Sequence, residues 1–318
     1  MASKAVSLMQ GTPITRSFHV DAKKGIKLGF IGLGQMGKHI AKNLMGEDVA
    51  LTVCDTSQAQ FAPFREFGAK ATSLVQDLAE CELIFLCLPG DAAVKVVLTG
   101  EKGLLPLFTQ GQMVVDLSTI TYTATIEFAA MLAEKGVAFL DAPVSGMEAR
   151  AKDATLSVMV GGSAKDFTRA EPYLKRIGNK ILHMGPVGSG QLTKLINQLL
   201  FDINMAALAE VLPLAVKKGL DPEKVGQIVN SGTGRSYASE FFIPQILKND
   251  FSAGYPMQNA YKDLISGAVI AAKEVIPMPI TMAATVTYQT ALLKGYGNED
   301  KGAMIKVYEE LLGVTYRK

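Results

Sequence analysis

The chain has few of the residues from which metal centres and disulfide frameworks are built. It contains three cysteines and three histidines among 318 residues. Cys54, Cys81 and Cys87 lie in or beside apolar, strand-like runs and lack metal-ligand spacing. We therefore expect buried, reduced thiols in a reducing compartment. Because the histidines are scattered along the chain, we expect neither a metal site nor a catalytic histidine.

Excess charge of either sign is also missing. The formal net charge is +2 and no dense Lys/Arg stripe occurs, so nothing indicates a nucleic-acid partner. No uncharged apolar stretch is long enough to span a bilayer. The most apolar helical segment, residues 190–216, carries Lys194, Asp202 and Glu210. We therefore expect no membrane partner.

Residues 1–25 precede the first clear structural pattern and are predicted to be an N-terminal extension. The first ~20 residues carry Lys4 and Arg16 but no acid, a composition compatible with an organelle-targeting presequence. The segment lacks the Arg density typical of such presequences, which favours a simple surface extension. A cytoplasmic location is expected, with the mitochondrial matrix as the alternative.

What the chain does have is a glycine-rich turn between a strand and a helix. Gly32, Gly34 and Gly37 follow an apolar run at G-x-G-x-x-G spacing, and helical periodicity begins at Lys38. The first glycine permits a tight turn, the second lets the backbone approach a pyrophosphate, and the third lets helix and strand pack closely. The whole loop is predicted to bind a dinucleotide: Gly32, Leu33, Gly34, Gln35, Met36 and Gly37.

A second strand-like run, Val49–Cys54, ends at Asp55, which lies 23 positions after Gly32. This spacing is near the ~20 residues expected for an acid that binds the cofactor ribose. A carboxylate there repels a 2′-phosphate, and residues 56–58 contain no Arg, so NAD is favoured over NADP. The alternatives are an ordinary tight βα turn and an Asp that merely caps the next helix.

Strand-like runs alternate with helical patterns from Lys27 to about Gly185. This alternation predicts an open, mostly parallel sheet with helices on both faces. The predicted strands are 28–31, 50–53, 83–88, 113–116, 138–140, 156–160 and 181–183.

The second part of the chain is helical in pattern throughout. A long interdomain helix is predicted from about Gln191 to Lys218, about 40 Å in length. The fold class is therefore α/β, with an N-terminal Rossmann-type doubly wound sheet over 26–187 and an all-α C-terminal domain over 188–318. The further predicted helices are 222–230, 257–273, 279–293 and 303–312.

Lys194 is the candidate for proton transfer, since a nicotinamide enzyme needs a group that exchanges a proton with the reacting oxygen. It lies near the start of the long helix, and Asn197 shares its face three residues later. Burial and the positive charge of the cofactor would lower its pKa toward the working range of a general acid/base. The alternative is a surface lysine whose stem packs along the helix start.

Several motifs occur in a fixed order, and together they resemble the β-hydroxyacid dehydrogenase family over residues ~26–314. This is the family of 3-hydroxyisobutyrate dehydrogenase, tartronate semialdehyde reductase and 2-(hydroxymethyl)glutarate dehydrogenase. After the glycine loop, the motifs are Leu88-Pro89, Asp116-Leu-Ser-Thr119, Asp141-Ala-Pro-Val-Ser-Gly146, Thr155-Leu-Ser-Val-Met-Val-Gly-Gly162, Lys194-Leu-Ile-Asn197 and Lys262-Asp-Leu264.

The resemblance implies reversible hydride transfer between NAD and a small 3-hydroxyacid or its semialdehyde. In that family the residue matching Lys194 is the catalytic acid/base, and the one matching Asn197 orients the substrate. Taken alone, Ser118 would more often be a helix cap, and Ser145-Gly146 an ordinary turn. The further residues with an implied role are Ser118, Ser145 and Gly146 for the substrate, and Leu88, Pro89, Thr119 and Lys262 for the cofactor.

The chain departs from the family pattern near the carboxylate loop. The family commonly reads Ser-Gly-Gly, whereas this chain has Met147 after Gly146, with Arg150 and Ala154 where small residues or glycine are frequent. These departures put an inherited substrate assignment in doubt. Arg235 is a candidate for a second, distal carboxylate, and a surface ion pair is its commoner role.

Two other functions remain open at this point. One is a non-catalytic dinucleotide-binding sensor or scaffold, against which the Lys194–Asn197 pair argues. The other is a reductase of imines or other carbonyls, a branch that usually lacks the catalytic lysine. The long apolar helix predicts self-association, and the resemblance implies a homodimer or homotetramer.

Overall fold

The computed structural model describes residues 25–317, which divide after Gln191 into two compact units. The N-terminal segment discussed above therefore lies outside the described residues, apart from Gly25. The first unit is built around one sheet of nine strands. These are β1 (Ile26–Ile31), β2 (Val49–Cys54), β3 (Lys70–Thr72), β4 (Leu83–Leu86), β5 (Met113–Asp116), β6 (Ala138–Asp141), β7 (Val144–Ser145), β8 (Leu156–Gly161) and β9 (Gly178–Gly185).

The sheet confirms the doubly wound prediction. The strand order is β3-β2-β1-β4-β5-β6-β8-β7, and β9 pairs with β8. The first six strands are mutually parallel, and β8 joins the edge of β6 in the antiparallel direction. All residues of β4 and β5 are buried, as expected for central strands covered on both faces. The strands β3 and β7, which are three and two residues long, were not predicted.

The register of the parallel strands positions the candidate site. Ile31 pairs with both Cys54 and Leu86, Leu86 pairs with Asp116, and Asp116 pairs with Asp141. Five consecutive strands of the sheet therefore end at the same level, and the loops after them meet at one edge. Ligands of open α/β sheets bind at this carboxyl edge.

Six helices cover the sheet, with separate apolar cores on its two faces. Side-chain caps fix two of the helix starts, because Thr121 accepts from the amide of Ala124 and Ser163 from that of Asp166. The helices are α1 (Gly37–Asn43), α2 (Ala62–Glu66), α3 (Asp91–Thr99), α4 (Tyr122–Ala133), α5 (Met147–Lys152) and α6 (Ala164–Leu174).

The second unit is helical, and residues 192–317 contain no strand apart from an isolated bridge between Pro256 and Asp300. Its first helix, α7, begins at Ser189 at the end of the first unit. The helices are α7 (Ser189–Lys217), α8 (Pro222–Ser231), α9 (Tyr237–Leu247), α10 (Met257–Glu274), α11 (Pro279–Leu293) and α12 (Ile305–Leu312). Helix α9 was not predicted, and a 3-10 turn at Lys301–Met304 precedes α12.

Helix α7 supplies the central part of the second core. Met205 and Ala209 are fully buried, and they pack among residues of the other helices. By length and composition α7 would be able to cross a membrane, but 44% of its most apolar 18-residue window is buried within the protein. A core helix of a folded domain has the same properties, so the composition of α7 is explained by packing.

Candidate active site

The glycine loop after β1 has the geometry that a dinucleotide requires. Gly32 has a φ of +99°, and a Cβ there would lie 2.3 Å from the carbonyl oxygen of Cys87. A Cβ on Gly37 would lie 1.9 Å from the carbonyl oxygen of Gly32, so only glycine permits this contact. By contrast, the space beside Gly34 is open, with no atom within 4 Å of a Cβ built there. An open backbone at Gly34 is what close approach of a pyrophosphate needs.

The start of α1 fits an anion as well. The residue before the helix, Met36, makes no side-chain cap, and no acid occupies the first turn. The start of a helix carries partial positive charge, which attracts a phosphate. The residues of this loop therefore fit the pyrophosphate of NAD.

Asp55 lies directly after β2 and contacts the glycine loop. One carboxylate oxygen accepts a hydrogen bond from the amide of Leu33 at 2.6 Å, and the other accepts from the amide of Ser57 at 2.8 Å. The bond from Ser57 stabilises the turn that follows, so Asp55 does have the local structural role given above as an alternative. Each oxygen retains a further lone pair for a ribose hydroxyl. The two roles coexist, and the bond to Leu33 fixes the acid beside the predicted pyrophosphate loop.

Ser118 lies in the loop after β5 and is only 2% exposed. Its hydroxyl oxygen accepts from the amide of Leu88 at 2.9 Å, and its carbonyl oxygen accepts from the Gln191 side chain at 2.6 Å. Thr121, rather than Ser118, caps the next helix. Ser118 therefore links the loops after β4 and β5. Thr119 and Pro89 flank this pair in the chain.

Two buried carboxylates beneath these loops were not predicted. Asp116 accepts from the amide of Ser118, its second oxygen has no hydrogen-bond partner, and burial raises its pKa to about 7. Asp141 accepts from the amides of Gly188 and Gln191, both at 2.8 Å, and burial raises its pKa. Asp141 thus holds the start of α7. Both lie at strand ends within the motifs quoted above, and that position is the sequence signal that could have identified them.

The predicted carboxylate loop begins at the end of β7, with Ser145, and continues to Gly146. Ser145 and Gly146 are half-buried, and Gly146 has a φ of +146°. Met147 follows with a φ of +60° and a side chain that is 43% exposed. Ala154 likewise has a positive φ, of +56°. The two departures from glycine therefore fall at positions whose backbone favours glycine.

In the second unit, Lys194 is half-buried on α7. Burial lowers its pKa to about 8, and Lys301 and Lys262 also lower it, while Asp263 and Asp202 oppose the shift. The low pKa distinguishes this residue from an ordinary surface lysine with a packed stem. A lysine that titrates near neutrality is suited to both donating and accepting a proton.

The other predicted residues of this unit lie on α7 and α10. Asn197 is exposed and donates to the Gln198 side chain at 3.2 Å, and Gln198 donates to Asp263 at 3.4 Å. Lys262 is exposed on α10, next to the buried Asp263. The acids Asp202 and Asp263, which act on Lys194, were not recognised from the sequence because their proximity to it depends on helix packing.

A buried ion pair lies within the same unit. Asp202 bonds to the ammonium of Lys301 and accepts from the hydroxyl of Tyr288 at 3.0 Å, and all three side chains are essentially buried. The second oxygen of Asp202 has no hydrogen-bond partner. The ammonium of Lys301 also lies 4.1 Å from the centre of the Phe201 ring.

Arg235 forms an ion pair with Glu240 at 2.6 Å, and both side chains are largely exposed. This pairing favours the surface role over the binding of a distal carboxylate. Within residues 25–317, no group of His, Cys, Asp and Glu side chains has the arrangement of a metal site.

Comparisons with known proteins agree with this geometry. Residues 27–185 match the NAD binding domain of 6-phosphogluconate dehydrogenase, and residues 188–308 match the NAD-binding region of NADP-dependent 3-hydroxyisobutyrate dehydrogenase. The 2-(hydroxymethyl)glutarate dehydrogenase of Eubacterium barkeri is 40% identical over 92% of this chain and 98% of its own length.

Other relatives extend the comparison. The mitochondrial 3-hydroxyisobutyrate dehydrogenase of Rattus norvegicus is 32% identical over 89% of this chain and 87% of its own. The NAD-dependent L-serine dehydrogenase of Pseudomonas aeruginosa is 32% identical over 90% of this chain and 99% of its own length. A solved structure of 3-hydroxyisobutyrate dehydrogenase from Salmonella typhimurium covers 89% of this chain and 99% of its own, with a TM-score of 0.79 and 28% identity.

Imine reductases share the fold at a greater distance. The enzyme from Myxococcus stipitatus has a TM-score of 0.59 at 17% identity, a likeness that concerns the fold alone. The matches to dinucleotide-binding families and to dehydrogenases, together with the glycine loop and Asp55, identify the cofactor as NAD. The chain belongs to the β-hydroxyacid dehydrogenase family and is an NAD-dependent oxidoreductase.

Proposed function

We propose that this enzyme reversibly oxidises a 3-hydroxyacid to the corresponding semialdehyde with Lys194 as its general acid/base. The observation that carries the proposal is the lowered pKa of Lys194, which is about 8. The same chain also has the glycine loop that fits a dinucleotide. NAD supplies the hydride acceptor and NADH the hydride donor. During oxidation, neutral Lys194 accepts the proton of the substrate hydroxyl as hydride leaves the carbon that bears it. During reduction, protonated Lys194 returns that proton to the carbonyl oxygen.

We assign the substrate carboxylate to the polar groups named in the family resemblance. The Ser118 hydroxyl, whose oxygen is held by the amide of Leu88, would donate to this carboxylate. Ser145 and the backbone of Gly146 add donors without bulk, and Asn197 is assigned the separate role of orienting the substrate. Lys262 would contribute a positive charge toward the cofactor. Hydrogen bonds to a carboxylate are stronger than those between neutral groups.

The substrate class follows from the chemistry that three relatives share by name. The compounds 2-(hydroxymethyl)glutarate, 3-hydroxyisobutyrate and L-serine all carry a hydroxymethyl group on the carbon next to a carboxylate. They differ only in the other substituent of that carbon. We therefore propose a 2-substituted 3-hydroxypropanoate. Because Arg235 pairs with Glu240, we do not assign it to a second carboxylate of the substrate.

The proposal is tested by following formation of NADH from NAD, or of NADPH from NADP, with each of these three acids at about pH 9, where Lys194 is mostly neutral. We expect turnover with at least one acid and a preference for NAD, because Asp55 repels a 2′-phosphate. Absence of turnover with all three, together with measurable NADH binding, would contradict it and favour the sensor function. Reduction of a cyclic imine without a carboxylate would instead favour the imine reductase alternative.

We further propose how the chain is organised around this activity. Residues 26–187 would form the dinucleotide-binding domain, residues 188–318 the substrate and oligomerisation domain, and residues 1–25 an extension of a cytoplasmic protein. A homodimer or homotetramer is supported by apolar side chains left exposed on the helices of the second unit, among them Leu200, Val211, Ile280 and Val286. Mass measurement by light scattering tests this, and a monomer at micromolar concentration would contradict it.

A further inference from the structure

A single side chain, that of Glu148, joins the predicted carboxylate loop to the dinucleotide loop. One of its carboxylate oxygens accepts a hydrogen bond from Gln35 at 2.9 Å. The other lies 2.9 Å from Nε2 of His39 and 3.3 Å from the ammonium of Lys38. All three partners come from the glycine loop or the first turn of α1. Glu148 itself lies three positions after Ser145.

These contacts keep Glu148 ionised. Hydrogen bonds from His39, Gln35 and Lys38 lower its pKa to about 2. The side chain is 37% exposed, so each contact alone contributes little to stability. Their arrangement matters more. Three donors from one short stretch of the chain, residues 35–39, converge on one carboxylate and fix its position relative to the glycine loop.

The segment that carries Glu148 has little means of holding its own shape. Helix α5 has only six residues, and Met147, its first residue, and Ala154, two residues after its end, have φ values of +60° and +56°. Such values cost non-glycine residues about 1 kcal/mol or more. A second contact joins α5 to α1: the side chain of Asn43 donates a hydrogen bond to the carbonyl oxygen of Ala151 at 2.7 Å. Ser145 is fixed by its pairing with Ser157 of β8, and Ala151 packs in the core, so contacts with the glycine loop and α1 add to these in setting the position of Gly146 and α5.

We propose that Glu148 is a positioning residue that couples dinucleotide binding at the glycine loop to carboxylate binding at Ser145 and Gly146. Gln35 stands between Gly34 and Gly37, so a pyrophosphate held by the loop restricts Gln35 and, through it, Glu148. The carboxylate loop is then ordered before the acid arrives, and the acid binds more tightly to the NADH- or NAD-loaded enzyme. By linkage, the acid must strengthen NADH binding by the same factor. This inference rests on the proposed function of Ser145 and Gly146.

The test is a Glu148→Ala variant of the full chain, with steady-state kinetics on the three acids named above. We expect KM for the acid to rise at least fivefold while kcat stays within about twofold, because the reacting groups are untouched. Fluorescence titration of NADH, with and without the acid, measures the coupling directly. We expect the acid to tighten NADH binding at least fivefold in the wild type and less than twofold in the variant.

Two further variants separate positioning from general damage. Glu171→Ala removes a similarly exposed carboxylate that pairs with Lys175 on α6, and we expect neither KM nor coupling to change. His39→Ala removes one partner of Glu148, and we expect a smaller loss of coupling that is not additive with Glu148→Ala. If Glu148→Ala fails to fold, His39→Ala still measures whether the contacts of Glu148 contribute to the coupling between acid and NADH binding.

The outcomes distinguish this inference from the proposed function. A wild type that turns over an acid, with unchanged KM and unchanged coupling in folded Glu148→Ala, would overturn the role of Glu148 alone. Equal losses in Glu171→Ala and Glu148→Ala would also overturn it. A wild type that binds NADH but turns over none of the acids would overturn the proposed function and, with it, this inference.

Discussion

The pH dependence of the reaction should differ in direction between oxidation and reduction, because we propose that one lysine serves both. Burial lowers the pKa of Lys194 from 10.5 to about 8. Below that pH the group is protonated and suited to donate, and above it the group is neutral and suited to accept. We therefore expect kcat/KM for oxidation of the acid to rise with pH and level off above about 8. For reduction of the semialdehyde we expect a plateau below about 8 and a fall above it.

The size of the effect follows from the shift. At pH 7.5 a lysine with a pKa of about 8 is about one-quarter neutral, whereas one with a pKa of 10.5 is about one-thousandth neutral. The lowered pKa therefore raises the fraction of the basic form by a factor of about 200 at this pH. The shift amounts to about 3 kcal/mol of preference for the neutral form.

The assay is absorbance of NADH in both directions from pH 6 to 10.5, with Lys194→Ala and Lys194→Arg as comparisons. We expect the alanine variant to lose about 10²- to 10⁴-fold in kcat in both directions. The arginine variant keeps a permanent positive charge and should lose oxidation just as severely. An inflection near 10.5 in the wild type, or curves that bend the same way in both directions, would refute the reasoning.

Three further predictions concern the cofactor site and stability. Asp55→Asn removes the negative charge that we predict to bind ribose and that accepts from Leu33. We expect Kd for NADH to rise about 10-fold or more and the preference for NADH over NADPH to fall, as measured by titration. Ala154→Gly should raise the free energy of unfolding by about 1 kcal/mol in urea, because the φ of +56° suits glycine. Lys301→Met should lower that free energy by about 3–5 kcal/mol because it leaves Asp202 buried and unpaired, and adding Asp202→Leu should recover most of the loss.

Each of these has an outcome that would contradict it. Unchanged NADH affinity in Asp55→Asn would remove the acid from the ribose site. A less stable Ala154→Gly would mean that the loss of freedom in the unfolded chain exceeds the relief of strain. Equal stabilities of Lys301→Met and the wild type would show that the buried pair adds nothing.

The parts of the fold that depend on local pattern were predictable. The glycine spacing after an apolar run gave the turn, and the observed contacts of Gly32 and Gly37 show why larger residues do not fit there. The strand ends at Ile31, Cys54 and Asp116 fall within one residue of their predicted positions. Apolar periodicity likewise gave α11 within its observed bounds, Pro279–Leu293.

Features that depend on distant partners were not predictable. Gln35 and Glu148 are 113 residues apart, and no local pattern links them. The pKa of Lys194 is lowered mainly by burial and further by the nearby charge of Lys301, and both depend on how the helices pack. Helix α9 was missed because Pro244 and two adjacent phenylalanines lie inside it, and these residues have low intrinsic helix propensity. Its start is fixed by a capping box between Ser236 and Ser239.

The central claim is that Lys194 performs the proton transfer of an NAD-dependent hydroxyacid dehydrogenase. The most direct measurement compares the wild type with Lys194→Ala for oxidation of 2-(hydroxymethyl)glutarate, 3-hydroxyisobutyrate and L-serine, with NADH affinity determined for both proteins. The account predicts turnover of at least one acid by the wild type, its near-complete loss in the variant, and an NADH Kd within about threefold of the wild-type value. Full activity in the variant would contradict the account.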